Sequence, residues 1–458
     1  MYKILINAYA CCPEMGSEQG MAWNFISRLA AFCELFVITE SEYRERNRAA
    51  VIPADNGLNT YGLSREQCER IHFRFVDAGE TEEDSERIRR MCWNQGDWRF
   101  YKYYAEWQKK VVVVAKEIIE SQEKEGHGID VMHQLNMIGF REPGYLWKLS
   151  QETGIKFVWG PIGGLKQFPL RYTDGGGLKM KAFMSIKNIL NIIQLKYSRR
   201  VDAALKQSSA LISSIPDSYH AIKKYKGIDS VIIPETGCFD VYDYNVSTDR
   251  FIKDELNVIW VGKFDFRKRL DIALKSIAET ENNKIKISIY GSGSEAQVNT
   301  HKKLANQLGI ERQVEWKGQQ TNNVVKEAMA QSDLFLFTSV SEDTSTVVLE
   351  AISNGLPVLC FDICGMGYVI DDSIGMKVKI TNTKESVSSF ARYLDRVFHN
   401  RELLKLMSKN CEAKQRELGW SRKIERLMEV YDEVIKKNRN CMNHGCDGDS
   451  DEMKGQKI

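Results

Sequence analysis

Short apolar runs alternate along the chain with longer stretches whose apolar residues recur every three or four positions. Runs at 4–8, 35–39, 71–76, 129–133, 156–159, 210–213 and 231–234 predict strands, and helical spacing marks 21–32 and 98–121. A strand buried on both faces reads as a continuous apolar run, whereas a helix packed on one side reads as a stripe. After a polar interval at 238–255 a second series begins. Its apolar runs fall at 257–261, 285–290, 313–316, 334–337 and 357–361, with helices at 271–280 and 346–353. Strands alternating with helices imply βαβ units and parallel sheets. The pattern therefore predicts an α/β chain of two similar units, 1–240 and 241–436. The remainder, 437–458, is polar and aperiodic and is expected to be a disordered tail. Ligands of such sheets bind outside the carboxyl ends of the strands, so a cleft between the units is the expected site.

Charge narrows the function classes. The 64 Lys and Arg nearly cancel the 62 Asp and Glu, a net charge of +2, which argues against a nucleic-acid partner. The first apolar run follows the single cation Lys3 and gives way to Cys11, Cys12 and Pro13, so it reads as a buried strand rather than a leader. No apolar stretch approaches the ~18 residues that a membrane-spanning helix needs. Eleven cysteines fall in no repeating framework and suit reduced thiols in the cytoplasm. Cys360 with Cys364, and Cys441 with His444 and Cys446, have loosely metal-like spacing, but neither group offers four ligands, and no metal is expected.

One window departs from this neutrality. Residues 151–200 hold nine Lys and Arg against two acids, and no acid lies between Asp174 and Asp202. Within it, Phe183, Ile186, Leu190, Ile193 and Tyr197 are spaced by three or four, which predicts a basic amphipathic helix over 178–200. Such a helix suits an anionic membrane surface; the plain alternative is a packed helix with a solvated basic side.

The loops after the strands carry the candidate chemistry. Gly291 and Gly293 follow the run 285–290, where glycines let backbone approach a phosphate ahead of a helix N-terminus. With Ala296 they also match a dinucleotide fingerprint, and Glu315 lies some twenty residues on, but the turn follows the second strand of its unit, not the first. Lys263 and Lys268 follow the run 257–261, close enough to share one pyrophosphate. Glu342 precedes the helix at 346 and Glu350 lies one turn into it; one carboxylate can meet sugar hydroxyls and the other a ribose diol, while free helix amides take phosphate. Taken singly, these are a tight turn, an exposed basic loop and a solvated acidic helix end.

Taken in order, they resemble retaining glycosyltransferases of family 4, the group 1 glycosyltransferases. The resemblance rests on the spacing of Glu342 and Glu350, on Gly355, Leu356, Pro357 and Val358 after their helix, on Lys263 with Lys268, and on the Gly291–Gly293 turn. Near the front, Gly16, Ser17, Glu18 and Gly20 resemble an acceptor-side glycine loop of one subgroup, as do Gly160, Pro161, Gly163 and Gly164.

The resemblance implies a GT-B architecture: two facing Rossmann-like domains, an interdomain cleft and a last helix crossing back to the first domain. It implies transfer of a sugar from a nucleotide-sugar donor to a saccharide or lipid-linked acceptor, with retention and without a metal or other cofactor. Lys263 and Lys268 would hold the diphosphate, with Gly291 and Gly293 in the donor site. Glu342 would meet the donor sugar, Glu350 the ribose, and Ser345, Thr346 and Val347 would lend helix-start amides. Gly16 and Ser17 would face them from the acceptor side, and Glu342, Lys268 and His133 would be catalytic. The sequence departs from the family at Lys263, usually Arg, at Thr344 and Ser345, usually Phe-Gly, and at Leu135, often a second histidine. His133 alone is equally a strand-end histidine, with Asn136 as the alternative polar contact. The implied place of action is cell-surface polysaccharide or glycolipid synthesis at the cytoplasmic face of a membrane. A hydrolase or epimerase on the same scaffold, a nicotinamide dehydrogenase and a non-catalytic nucleotide-sugar sensor are the alternatives. Donor binding with transfer, turnover without acceptor, NAD binding and donor binding alone tell the four apart.

Overall fold

The computed structural model describes residues 1–93, 97–239 and 249–443. Seven strands build the first sheet: β1 (Tyr2–Ala8), β2 (Cys33–Glu40), β3 (Ile71–Val76), β4 (Val131–Asn136), β5 (Lys156–Ile162), β6 (Ala210–Ser213) and β7 (Val231–Ile232). Six build the second: β8 (Leu256–Val261), β9 (Ile285–Tyr290), β10 (Val314–Gly318), β11 (Leu334–Phe337), β12 (Val358–Phe361) and β13 (Gly375–Val378). The orders are β3-β2-β1-β4-β5-β6-β7 and β10-β9-β8-β11-β12-β13, with every pairing parallel. In each sheet the order reverses beside its first strand, between β1 and β4 and between β8 and β11. That reversal opens a crevice for ligands at the carboxyl ends.

The continuous apolar runs have a direct cause. In β1, Ile4, Ile6 and Ala8 pack on one face and Leu5 on the other; in β11, Leu334 and Leu336 oppose Phe335 and Phe337. Both faces are covered by helices, so alternate positions are all apolar. Burying each of these Ile, Leu and Phe side chains contributes about 1.5–3 kcal/mol.

Two segments cross between the units. The last helix, Trp420–Asn443, lays Trp420, Ile424, Leu427, Tyr431 and Val434 into the core under the first sheet. There the Tyr2 hydroxyl donates to Asp432 at 2.6 Å. In the other direction, Phe168, Tyr172 and Met184 join the core of the second unit. Tyr172 bonds Ser386 at 2.6 Å, and Arg269 donates to its carbonyl at 2.9 Å. Spacing reveals an amphipathic helix but not its distant partner, so this second strap is invisible in the sequence.

Two details differ from the sequence pattern. Strand β13 is absent from the predicted runs; it is four residues long and carries Lys377, whose ammonium donates to Gly367 O at 2.9 Å. The last helix runs through Asn443, past the point where the tail was expected to begin, because neither Gly nor Pro interrupts it before Gly445. The rest of that tail, the boundary near 240, and His444 and Cys446 lie outside the described residues. All nine described cysteines are free, and no described helix is long and apolar enough to cross a membrane.

Candidate functional site

The loops that leave β8 and β11 at the switch point are bonded to each other. Thr338 Oγ1 donates to Lys268 O at 2.8 Å and accepts from Trp260 Nε1 at 3.1 Å, while Val340 N donates to Arg267 O at 2.9 Å. This brings Lys268 Nζ to 2.9 Å from Glu342 Oε1, which also accepts from the Ser339 hydroxyl at 3.1 Å. Both partners of the pair are mostly shielded from solvent. Lys263 is exposed, and no carboxylate pairs with it among the described residues.

These residues line a cleft of about 890 Å³ between the units. From the second unit come Lys263, Arg267, Lys268, Glu342, Asp343, Thr344, Ser345, Thr346, Val347 and Glu350. From the first unit come Gly16, Glu18, Ile138 and Lys166, with Glu235 from the connection after β7. Ser17 opens the Ser17–Leu29 helix beside Gly16; its side chain lies outside the described residues. A smaller cavity, about 420 Å³, lies on the other side of the 264–271 loop and touches neither Lys268 nor Glu342.

Two helix N-termini in the second unit were expected to take phosphate, and the structure separates them. Ser294 and Gln297 cap the Glu295–Gln307 helix reciprocally, at 3.3 and 2.8 Å, so the Gln297 and Ser294 amides are already occupied. Gly291 and Gly293 do not line the cleft. A Cβ on Gly291, at φ +136°, would stand 1.8 Å from Gly262 O, and one on Gly293 would stand 2.8 Å from Phe264 Cβ. Their role in this placement is to let the β9 loop brace the loop that carries Lys263. Ser345, by contrast, makes no side-chain cap to the Thr346–Ser353 helix. The amides of that helix start open toward the cleft, where a phosphate is favoured.

His133 is not brought to the cleft. It is wholly buried on β4, with Nδ1 bonded to Tyr431 Oη at 2.6 Å and Nε2 to Gly160 O at 2.7 Å. Burial pushes its pKa down to about 4, so the ring is neutral and pins the returning helix. Asn136 is also structural in this placement, donating to Ala10 O at 2.6 Å and to Glu18 O at 3.3 Å.

Among the cleft residues to which the sequence assigns no role are Glu18, Lys166, Glu235, Arg267 and Asp343. Lys166 reaches Asp343 across the cleft at 2.7 Å. Burial opposes the charge on Lys166, but Asp343 outweighs it and holds the ammonium above its ordinary pKa. Glu18 carries a usable signal, since it is an acid set between Gly16 and Gly20 in a loop that resembles an acceptor-side motif. Glu235, in a connection without a motif, leaves none. Burial raises the pKa of Glu350. Among the described residues no three His, Cys, Asp or Glu side chains gather closely enough to hold a metal ion.

A family model for group 1 glycosyl transferases matches residues 247–414. The lipopolysaccharide glucosyltransferase WaaG of Escherichia coli is 30% identical over 146 residues, 31% of this chain and 38% of that protein. A putative teichuronic acid biosynthesis glycosyltransferase, TuaC of Bacillus subtilis, is 24% identical over 208 residues, 43% of this chain and 51% of that protein. The chain thus spans about half or less of the length of these relatives. Over nearly the whole chain, solved structures decide the architecture. Sucrose-phosphate synthase from Thermosynechococcus elongatus superposes with a TM-score of 0.60 at 14% identity, covering 95% of this chain and 100% of that one. Anabaena HepE in complex with UDP gives 0.60 at 13% identity, covering 94% and 100%.

The fold is GT-B. Its second unit is related to the group 1 glycosyltransferases. In a GT-B chain the crevice between the two Rossmann-like domains is the place for a ligand, and Lys268 and Glu342 stand in it.

Proposed function

We propose that this GT-B chain is a retaining glycosyltransferase that moves a sugar from a nucleotide-sugar to a saccharide or lipid-linked acceptor. The observation that carries the reading is the Lys268–Glu342 pair, held at 2.9 Å before an uncapped helix start. A diphosphate placed there draws positive charge from Lys263, Arg267 and Lys268 and backbone donors from Thr346 and Val347. Lys268 exchanges Glu342 for phosphate, and the freed carboxylate accepts from hydroxyls of the donor sugar, while Glu350 meets the ribose.

In the reaction the anomeric carbon–phosphate oxygen bond breaks and a bond to the acceptor oxygen forms on the same face. The acceptor proton passes to the leaving diphosphate. The lysines and helix amides stabilise the charge that develops on the diphosphate, and retention follows from attack on the face the leaving group vacates. The names of WaaG and TuaC favour a cell-surface polysaccharide or glycolipid as the product's destination.

The helix Gly177–Tyr197 supports a membrane-bound acceptor. Its Leu178 is 86% exposed and Phe183 60%, and Ile186, Ile189, Ile193 and Tyr197 are exposed beside them, among Lys179, Lys181 and Lys196. An apolar face ringed by cations matches anionic lipid, with about 1 kcal/mol gained per cation near the surface. Co-sedimentation with anionic vesicles at low salt, lost as salt rises, is expected; no sedimentation at low salt retires this part.

A thermal-shift panel of nucleotide-sugars tests the main reading. At least one must raise the melting temperature and then give a transfer product with glycoside acceptors. Stabilisation by NAD alone, or hydrolysis without transfer, overturns it.

A further inference from the structure

Four oxygens at one end of the cleft are buried without any hydrogen-bond partner: Glu18 Oε2, Glu235 Oε2, Asp343 Oδ1 and Thr344 Oγ1. All four residues line the cleft. Glu235 is only 8% exposed and Thr344 only 9%. Leaving such a group unsatisfied costs about 1–3 kcal/mol, so four together at one place are an expense that a ligand would remove.

The four are held firmly. Glu235 turns its other oxygen to the Thr344 N–H at 2.5 Å, and the Ile138 N–H donates to the Glu18 carboxyl. Asp343 is fixed by Lys166 at 2.7 Å, and its carboxyl is closely faced by Gly163 of the first domain, where an added Cβ would lie 3.5 Å away. The orphan oxygens therefore belong to a wall built from both domains.

Their chemistry selects an occupant. A metal ion is a poor match, because no three of the carboxylates converge on one point. An anion is a poor match too, since the cations that face these oxygens are already engaged: Lys166 with Asp343 at 2.7 Å, Arg267 with Asp265 at 2.8 Å, and Lys423 with Pro234 O at 2.7 Å. Hydroxyls fit: each can donate to a carboxylate oxygen, and one can accept from Thr344. A site made of buried polar atoms discriminates strongly against ligands that fail to pair them.

We propose that Glu18, Glu235, Asp343 and Thr344 form an acceptor subsite that takes a neutral or amino-bearing sugar ring and rejects one carrying a carboxylate or phosphate. This rests on the transferase reading above and adds the charge class of the acceptor. Burial first, with Asp343 adding to it, pushes the carboxyls of Glu18 and Glu235 up to about 7, which shows how poorly this wall tolerates further negative charge.

The test uses the full chain saturated with whichever nucleoside diphosphate raises its melting temperature. Binding of methyl glucoside, methyl glucosaminide and methyl glucuronide is followed by saturation-transfer NMR. The first two are expected to bind at least tenfold more tightly than the glucuronide. Glu18→Gln and Glu235→Gln should each narrow that gap severalfold, and Thr344→Val should weaken the neutral glycoside, while nucleotide affinity changes less than twofold. Repeating the measurement with the intact nucleotide-sugar separates the sources of the hydroxyls. Retained glycoside binding, or transfer to it, assigns the wall to the acceptor, and displacement assigns it to the donor's sugar and overturns the proposal. Equal binding of the glucuronide, or no glycoside binding to the nucleotide-loaded protein, also overturns it. Failure of every nucleotide to bind would instead defeat the transferase reading.

Discussion

At the basic end of the cleft, Lys268 is tied to Glu342 at 2.9 Å and stands near an exposed Lys263. At the acidic end, Glu18, Glu235 and Asp343 each keep a buried oxygen with no donor. A charge that already has a partner can exchange it for a ligand's at small net cost, because the pairing it loses is replaced. An orphaned oxygen has nothing to exchange and lowers stability until a donor arrives. The first end is thus poised by charge and the second by deficit, which suits a strongly charged diphosphate facing a hydroxyl-rich ring.

Removing the charge from the basic end should have the largest effect. Lys268→Ala is expected to lower turnover about 10²–10³-fold, the usual loss when one donor to a developing anion is deleted. Glu342→Ala should act comparably, and both variants should keep the parent's circular dichroism. Full transfer in both, with any donor, would break the contrast at its root. Next comes the scaffold beneath this end. Gly291→Ala places a Cβ 1.8 Å from Gly262 O at φ +136°, and should cost roughly 2–3 kcal/mol in denaturant melts. It should also weaken donor binding, although Gly291 touches no cleft volume; unaltered stability would show that the two loops do not need this contact.

These two predictions draw unequally on the sequence. The lysines, the glutamate pair and every strand but β13 were legible because each lies in a local pattern: an apolar run, a cap position, a spacing of eight. The role of Gly291 was half legible, since the need for glycine showed but its partner, Gly262 one strand away, did not. Glu235 was silent because a lone acid in a polar connection has no pattern. Its meaning arises only when Thr344, more than a hundred residues later, donates to it. The strap that sends Tyr172 to Ser386 is the same kind of case. Local periodicity encodes elements and loop chemistry, whereas contacts between domains depend on how two finished surfaces meet.

A smaller effect should separate scaffold from chemistry in the first domain. Tyr431→Phe deletes the bond to His133 Nδ1 at 2.6 Å and is expected to cost about 1 kcal/mol. Because His133 stands in the core under the returning helix and not in the cleft, turnover of the folded variant should stay within twofold. A tenfold loss, or a shifted pH profile, would return His133 to the reaction and weaken the division between the ends.

The smallest effect belongs to the acidic end and depends on pH. Burial, with Asp343 adding to it, raises the Glu235 carboxyl from 4.5 to about 7, and the Thr344 N–H and the Lys423 ammonium offset only part of this. Between those values the folded protein holds a proton that the unfolded chain has released. Stability therefore falls as pH rises through that window, and the loss is complete above about 7. Glu18 contributes a slope of the same sign, raised first by burial and then by Asp343 and Glu235, so one substitution removes only part. Glu235→Gln keeps an oxygen for Thr344 and abolishes its own titration. Its melting temperature should exceed the parent's at pH 8 by roughly a degree or two and approach it at pH 5. A saturating neutral glycoside should narrow that difference, because hydroxyls donated to the carboxylate favour its charged form. Parallel melting profiles for parent and variant across pH 5–8 would mean that the acidic end carries no such deficit.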